Sequence, residues 1–392
     1  KKRAGLSLPV EAKGVGSGSV TVNVTGPGDF ALKRQYAVEV KPSTIILARR
    51  TVKPLAPGQT LTLNNDLFAD LLPGTGKLAL SATPSAALDV ASLLQALDRY
   101  PLGCTEQVIS RALPLLYANE LSVYLHLTVD TGLDKRIADA IETVLARQGP
   151  EGAFGLWSPG GGDPWLDAYV TDFLTRARDR GFSVPDDAFK LALERLRNYV
   201  STAPEPSTDG GLSLAYALYV LARNGVAPVG DLRYLADAKI NDLKTATAKA
   251  EVGAALAMLG DRIRAEKVFG VAVASLAKEP KIEIGRTDYG SALRDAAVVV
   301  TLAAEGDAAK PILVSATERV DAARNLVQRT STQEDAWLVL AARALGKQNV
   351  SLDVNQGGQV GPYYATYDQA DIKASDVIIT NTGDTPVDTI VT

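Results

Sequence analysis

Cys104 and Gln107 stand three residues apart in Tyr100-Pro-Leu-Gly-Cys-Thr-Glu-Gln107, and Cys104 is the single cysteine among 392 residues. The apolar residues that follow (Val108, Ile109, Ala112, Leu115, Leu116) recur at helical spacing, with Gly103 expected as the N-cap. On the first turn of such a helix the two side chains share a face, their Cβ atoms roughly 5–6 Å apart. A thiolate placed there reaches the Gln107 side-chain carbonyl, expels ammonia and closes an internal thioester. The helix N-terminus is expected to stabilise that thiolate, as attacking group and later as leaving group. The plain alternative for a lone cysteine is a small buried hydrophobe, and a bare C-x-x-Q arises readily by chance. Glu106 reads first as a first-turn carboxylate favoured by the helix dipole and second as an acid–base group.

The longer string is more specific. Gly-Cys-Thr-Glu-Gln resembles the Gly-Cys-x-Glu-Gln thioester motif of the alpha-2-macroglobulin and complement superfamily, and the wider context through Leu113-Pro-Leu-Leu-Tyr117 is most similar to the bacterial alpha-2-macroglobulins. The resemblance implies roles for neighbours. Tyr100 matches a tyrosine that shields the thioester from water in bacterial relatives; its simpler role is packing. Leu102 stands where those relatives often carry another aromatic, which implies a thinner shield. Gly152-Ala-Phe-Gly-Leu-Trp157 and Asp163-Pro-Trp-Leu-Asp-Ala-Tyr-Val170 resemble the same domain. They read first as a loop tucked in by Phe154, Trp157 and Trp165, and second as an aromatic lining, with Trp157 and Trp165 shielding the bond.

The remaining candidates carry weaker signals. His126, the one histidine, lies in a mostly apolar stretch and does not match the downstream histidine that assists acyl transfer in complement relatives. Attack by amines such as lysine is therefore expected over ester formation with sugars. The pairs Asp186-Asp187 and Glu334-Asp335 could serve glycoside hydrolysis, but adjacent residues do not face each other across a sugar, so helix-start charges are the simpler reading. Gly160-Gly-Gly162 follows no strand and lacks a lysine, unlike a phosphate-binding loop.

Composition narrows the classes. With 46% hydrophobic and 22% charged residues the balance is that of a globular protein. A net charge of −4 without a dominant basic run argues against a nucleic-acid partner. No apolar run approaches a membrane span. One cysteine and one histidine leave too few soft ligands for a zinc site and no disulfide framework. No metal or other cofactor is expected.

Residues 1–85 read as β structure: Val20–Thr25, Tyr36–Val40, Thr60–Leu63 and Lys77–Ala82 alternate, separated by Gly and Pro clusters. From 86 to 348 the period changes to about twelve amphipathic helical segments, starting near Leu88, Cys104, Asp134, Asp163, Asp186, Leu212, Asp231, Thr245, Asp261, Thr287, Ala308 and Thr332. Helical pairs about 40 residues apart suggest an (α/α)6 toroid. Residues 349–392 return to strands at Ser351–Val354, Asp376–Thr380 and Thr389–Val391. The expected fold class is thus multidomain α and β. In the family resembled, a thioester toroid is inserted into a CUB-like β-sandwich. On that reading 1–85 and 349–392 are its two parts, the first possibly sharing residues with the end of a preceding macroglobulin-like domain.

The chain is accordingly expected to be a piece of a longer protein. The resemblance implies a broad-spectrum protease inhibitor, not a turnover enzyme: cleavage of a bait segment elsewhere exposes the bond, and a lysine of the target protease is captured covalently. It also implies a periplasmic location, anchored by lipid to the inner membrane outside this fragment, and a peptidoglycan synthase (penicillin-binding protein 1c) as a further partner. Two rival classes stand beside it. An enzyme of the terpene-cyclase or prenyltransferase type would use the same toroid, which Gln148-Gly-Pro-Glu-Gly-Ala-Phe154 resembles, yet no Asp-x-Asp-Asp string occurs. A scaffold module with an inert cysteine is the other.

Overall fold

The computed structural model describes residues 7, 9–11, 13, 16–40, 49–98, 103–118, 132–278, 286–327, 329–345 and 350–392. Tyr100, Leu102 and His126 lie outside the described residues, as do the junctions near 348.

Twelve described helices follow one another between Val90 and Leu345, besides a single turn at Pro206–Asp209. They are α1 (Val90–Asp98), α2 (Thr105–Leu115), α3 (Leu133–Leu145), α4 (Pro164–Asp179), α5 (Asp186–Thr202), α6 (Leu212–Arg223), α7 (Val229–Tyr234), α8 (Ala246–Met258), α9 (Arg262–Leu276), α10 (Ala292–Glu305), α11 (Lys310–Arg324) and α12 (Thr332–Leu345). The even-numbered helices close a ring: α2 packs on α4, α4 on α6, α6 on α8, α8 on α10, α10 on α12, and α12 returns to α2. The odd-numbered ones lie against them, α5 bridging α4 and α6, α9 bridging α8 and α10, and α1 bridging α12 and α2.

Burial explains the two helix types. Outer α5 buries only Phe189, Ala192 and Leu196, a single stripe at helical spacing. Inner α8 is buried from Ala246 through Leu256, and inner α10 from Leu293 through Ala303. Such helices are covered on every side, and their alanines let neighbours approach closely. Most expected starts fall within a few residues of the observed ones. The exception is Thr287: α10 begins at Ala292 behind an N-cap on Ser291, whose side chain accepts from Arg294 N, so 286–291 is an irregular loop.

Cross-helix bonds show that the inner helices all run the same way. Thr332 at the start of α12 donates to Glu106 at the start of α2 (3.2 Å), while Arg343 and Glu305 near the ends of α12 and α10 pair at 3.0 Å. The pole formed by the C-terminal ends is tied by the fully buried Arg176. Its Nε lies 3.0 Å from Asp172 Oδ1, its Nη1 donates to Tyr117 Oη (3.1 Å), and its Nη2 donates to Tyr219 Oη (2.7 Å).

Ten strands are described, eight of them in two sheets beside the ring's entry and exit. β3 (Thr51–Leu55), β10 (Val387–Val391), β5 (Lys77–Thr83) and β8 (Tyr363–Asp368) form one antiparallel sheet in that order; β4 (Thr60–Leu63), β9 (Val377–Asn381), β6 (Ser351–Val354) and β7 (Gly357–Val360) form another. They enclose a core of Leu55, Leu63, Leu80, Leu352 and Ile379, closed by Phe68 and by Ile372 of the short helix α13 (Gln369–Ala374). Both sheets mix strands from before and after the helices. Expectation missed β3, which carries Pro54; the strand lies at a sheet edge, where a missing N–H is tolerated. The hairpin β1 (Gly16–Thr25) with β2 (Ala31–Val40) shares neither sheet and is exposed along almost its whole length. Among the described residues of the first segment, the strands that join the two sheets are β3, β4 and β5.

Removing Arg176 leaves the Asp172 carboxylate buried without its cation. Arg176→Met is expected to cost about 3–5 kcal/mol in urea denaturation; an unchanged midpoint would show that the pole does not depend on this pair.

Candidate functional site

Cys104 itself is the N-cap of α2, with extended backbone angles (φ −64°, ψ 162°), in place of the Gly103 expected from sequence. The reason is a reciprocal pair of bonds. Cys104 N donates to Gln107 Oε1 at 3.2 Å, and the sulfur accepts from the Gln107 backbone N–H. Glycine has no side chain with which to make the second bond. The thiol, which is free, and the Gln107 amide are thereby folded onto the same side of the first turn.

A second layer holds this turn. Thr105 N donates to Leu156 O (2.9 Å), and Thr105 Oγ1 lies 2.5 Å from Gly155 O. Arg147, just past α3, donates to Gly103 O (3.0 Å), Thr105 Oγ1 (3.0 Å) and Leu156 O (3.1 Å). The 152–162 loop can press so close because a Cβ on Gly155 would sit 1.9 Å from Ser158 O. Phe154 N donates to the buried Asp167 carboxylate (2.8 Å), which Arg195 also binds (3.0 Å). The loop is tucked in by Phe154 and Trp165, both buried. Trp157 differs: its ring is 64% exposed, with the Arg147 guanidinium 6.0 Å from its centroid.

Glu106 is a first-turn carboxylate, as expected, and it is buried. Its Oε1 accepts from Ser110 Oγ (2.7 Å) and from Thr332 Oγ1 (3.2 Å), and its Oε2 lies 4.0 Å from the Cys104 sulfur. Burial pushes its pKa up, against the hydrogen bonds that favour the carboxylate. The Cys104 thiol is also pushed up, by burial first and by the Glu106 charge, with the Gln107 N–H and Arg147 pulling the other way. Burial thus outweighs the hydrogen bonds that favour the thiolate at this helix start.

Arg147, Ser110, Thr332 and Tyr169 were not read as site residues from sequence. Ser110 lies one turn on from Glu106 in α2, whereas Arg147, Thr332 and Tyr169 come from elsewhere in the ring, where no short-range spacing marks them. The Glu334-Asp335 pair falls on the first turn of α12, both members buried. Ser331 N donates to Glu334 (2.7 Å), whereas Asp335 Oδ1 has no hydrogen-bond partner among the described residues. Asp186 is instead at the surface, paired with Arg178 at 2.9 Å. Among the described residues no group of three or more His, Cys, Asp or Glu side chains is placed to hold a metal, and no helix is long and apolar enough to cross a membrane.

Asp335 supplies a pH test of this pole. Burial raises its pKa to about 6, so the folded state holds the proton more tightly than the unfolded chain does. Stability contributed at low pH is then lost as pH climbs from about 4 through 6. Asp335→Asn is expected to gain on the order of 2 kcal/mol over the parent at pH 7.5 and almost nothing near pH 4, in paired denaturation curves.

No family model matches the chain. The chain is 32% identical over 368 residues to alpha-2-macroglobulin of Escherichia coli K12, covering 88% of the chain, and 30% identical over 397 residues to alpha-2-macroglobulin of Xylella fastidiosa Temecula1, covering 95%. It spans only 22% and 23% of those proteins' lengths. Among solved structures, native E. coli alpha-2-macroglobulin from domain MG7 to the C-terminus superposes with a TM-score of 0.73 at 27% identity, over 96% of this chain and 62% of that one. Salmonella alpha-2-macroglobulin reacted with methylamine gives 0.74 at 27% identity, over 96% of this chain and 26% of that one. The E. coli protein activated by porcine elastase gives 0.58 at 26% identity, over 96% and 35%.

Proposed function

Because the chain belongs to the bacterial alpha-2-macroglobulin family, we propose that it is the thioester-bearing part of a covalent protease trap. The helical ring is its (α/α)6 thioester domain, inserted in a CUB-like sandwich built from the flanking segments. The observation that carries the reading is the reciprocal bonding of Cys104 and Gln107 across one helical turn.

The chemistry follows from that turn. In forming the bond, Cys104 Sγ attacks Gln107 Cδ and the amide nitrogen leaves as ammonia, taking the thiol proton. The Cys104 N–H already donates to Gln107 Oε1, so it is aimed at the oxygen on which negative charge develops. In use, an amine nitrogen attacks Cδ, the C–S bond breaks, and the nitrogen's proton ends on sulfur. Glu106, 4.0 Å from the sulfur and with its pKa pushed up by burial, serves as the group that hands this proton over and recovers it from the new amide.

Target proteases supply the amine through surface lysines, after a cut elsewhere in the full-length protein. Each molecule reacts once, so the protein is an inhibitor. The family's setting also comes with this proposal: the periplasm, a lipid anchor to the inner membrane outside this segment, and a penicillin-binding protein 1c partner.

Intact mass tests the bond. The chain is expected to weigh about 17 Da less than its sequence, and methylamine should add about 31 Da while freeing one titratable thiol. A full sequence mass in freshly purified native protein, with no response to amine, would sink the proposal. For Glu106, the rate of thiol release per free amine should fall as pH rises through its titration. Glu106→Gln should flatten that profile and slow release about 10²-fold.

A further inference from the structure

Tyr289 has φ 52°, a left-handed backbone that a bulky side chain rarely adopts, at a cost of about 1–3 kcal/mol. Its neighbours explain why the strain persists. Asp288 is buried and gripped by Arg286 (Nε 2.9 Å, Nη2 2.6 Å) and by Arg294. Gly290 N folds back onto Asp288 Oδ1 (3.2 Å), and a Cβ there would lie 1.8 Å from the Arg294 guanidinium. Tyr289 N donates to Arg286 O (3.2 Å). With both flanks pinned, the residue between them cannot relax.

That fixed backbone sets the ring on Trp165, with centroids 5.5 Å apart and planes tilted by 53°. Trp165 in turn stacks on Tyr169 (5.0 Å, 30°), and Tyr169 Oη is 2.9 Å from Ser110 Oγ, the partner of Glu106. The three rings form a row from solvent to Ser110, which bonds the carboxyl group beside the thiol. Trp165 and Tyr169 are buried, whereas Tyr289 is 44% exposed, so it is the member at the mouth. Its phenol is pushed up by burial and by Asp163, Cys104 and Glu106, so the hydroxyl shares the cysteine's surroundings and stays neutral.

We infer that Tyr289 is the outer shield of the acyl–sulfur bond, its ring held across the approach to Cys104 and Gln107 by the clamped left-handed turn. This rests on the thioester reading above. The shield is steric: water is excluded by the ring, and the hydroxyl is dispensable.

The test compares Tyr289→Gly, which removes the ring and suits the backbone, with Tyr289→Phe, which keeps it. Each protein is first weighed, then followed by thiol titration in amine-free buffer, with thermal melting as the folding control. We expect all three proteins to begin with the mass deficit. Tyr289→Gly should then release thiol about tenfold faster than the parent, and Tyr289→Phe within about twofold of it. Equal release from the glycine variant and the parent overturns the shield while leaving the thioester intact. Leakage from the phenylalanine variant as fast as from glycine also overturns it, since the hydroxyl would then be the active part. A parent without the mass deficit overturns the thioester reading and this inference together. Should the glycine variant melt early, Tyr289→Asn, which also tolerates φ > 0, replaces it with the same expectations.

Discussion

Two side chains three residues apart stay in contact only while the first turn of one helix keeps its shape. Cys104 and Gln107 meet because each accepts a backbone N–H from the other across the start of α2. Such a turn frays easily, since its N–H groups lack intrahelical partners. The surrounding fold removes that freedom. Thr105 is sewn to Gly155 and Leu156, and Arg147 spans Gly103, Thr105 and Leu156 with one planar fork of donors. A lysine would offer the same charge without the fork.

The parallel inner ring gives this turn its electrical setting. Six aligned helices gather their N-termini at one pole and their C-termini at the other, and the side chains follow the macrodipoles. First turns at the N-terminal pole carry Glu106, Asp167, Asp295, Glu334 and Asp335. The opposite pole carries Arg176, Arg223 and Arg343 around Asp172 and Glu305. Those charges are buried or partly buried, and each costs desolvation unless paired. Asp288 sits between two guanidiniums and is held well below the usual carboxylate range, whereas burial pushes Glu106 and Asp335 up, Glu106 against the hydrogen bonds of Ser110 and Thr332.

The sandwich adds a frame for the ring. Its sheets draw strands from both sides of the helical block, so the ring's entry and exit are set by one β core. Local bonds fasten the seam: Asp388 of β10 accepts from Ala86 N (2.9 Å), Ser81 of β5 donates to Asp89 (2.9 Å), and Ser85 bonds Asp321 of α11. Tyr364 of β8 reaches over to pack on the helical core.

Local rules, by themselves, determined the helical block, most helix starts and the reactive pair. Apolar period, N-cap residues and the Cys-x-x-Gln spacing act within one or two turns, so they can be read along the chain. The same rules misplaced what tertiary contacts decide. α10 starts late because Arg286, Asp288 and Arg294 bind one another across the loop, a partnership of charges that no propensity announces. The thiol is raised because burial depends on what packs over it, and Glu106 is buried because Thr332, 226 residues away, comes to meet it. Trp157 and Trp165 look alike in sequence, yet one is exposed and the other buried. Which residue faces the ring's interior is settled by closure of the ring, and closure joins α12 to α2 across more than 200 residues of sequence, beyond the reach of any local rule.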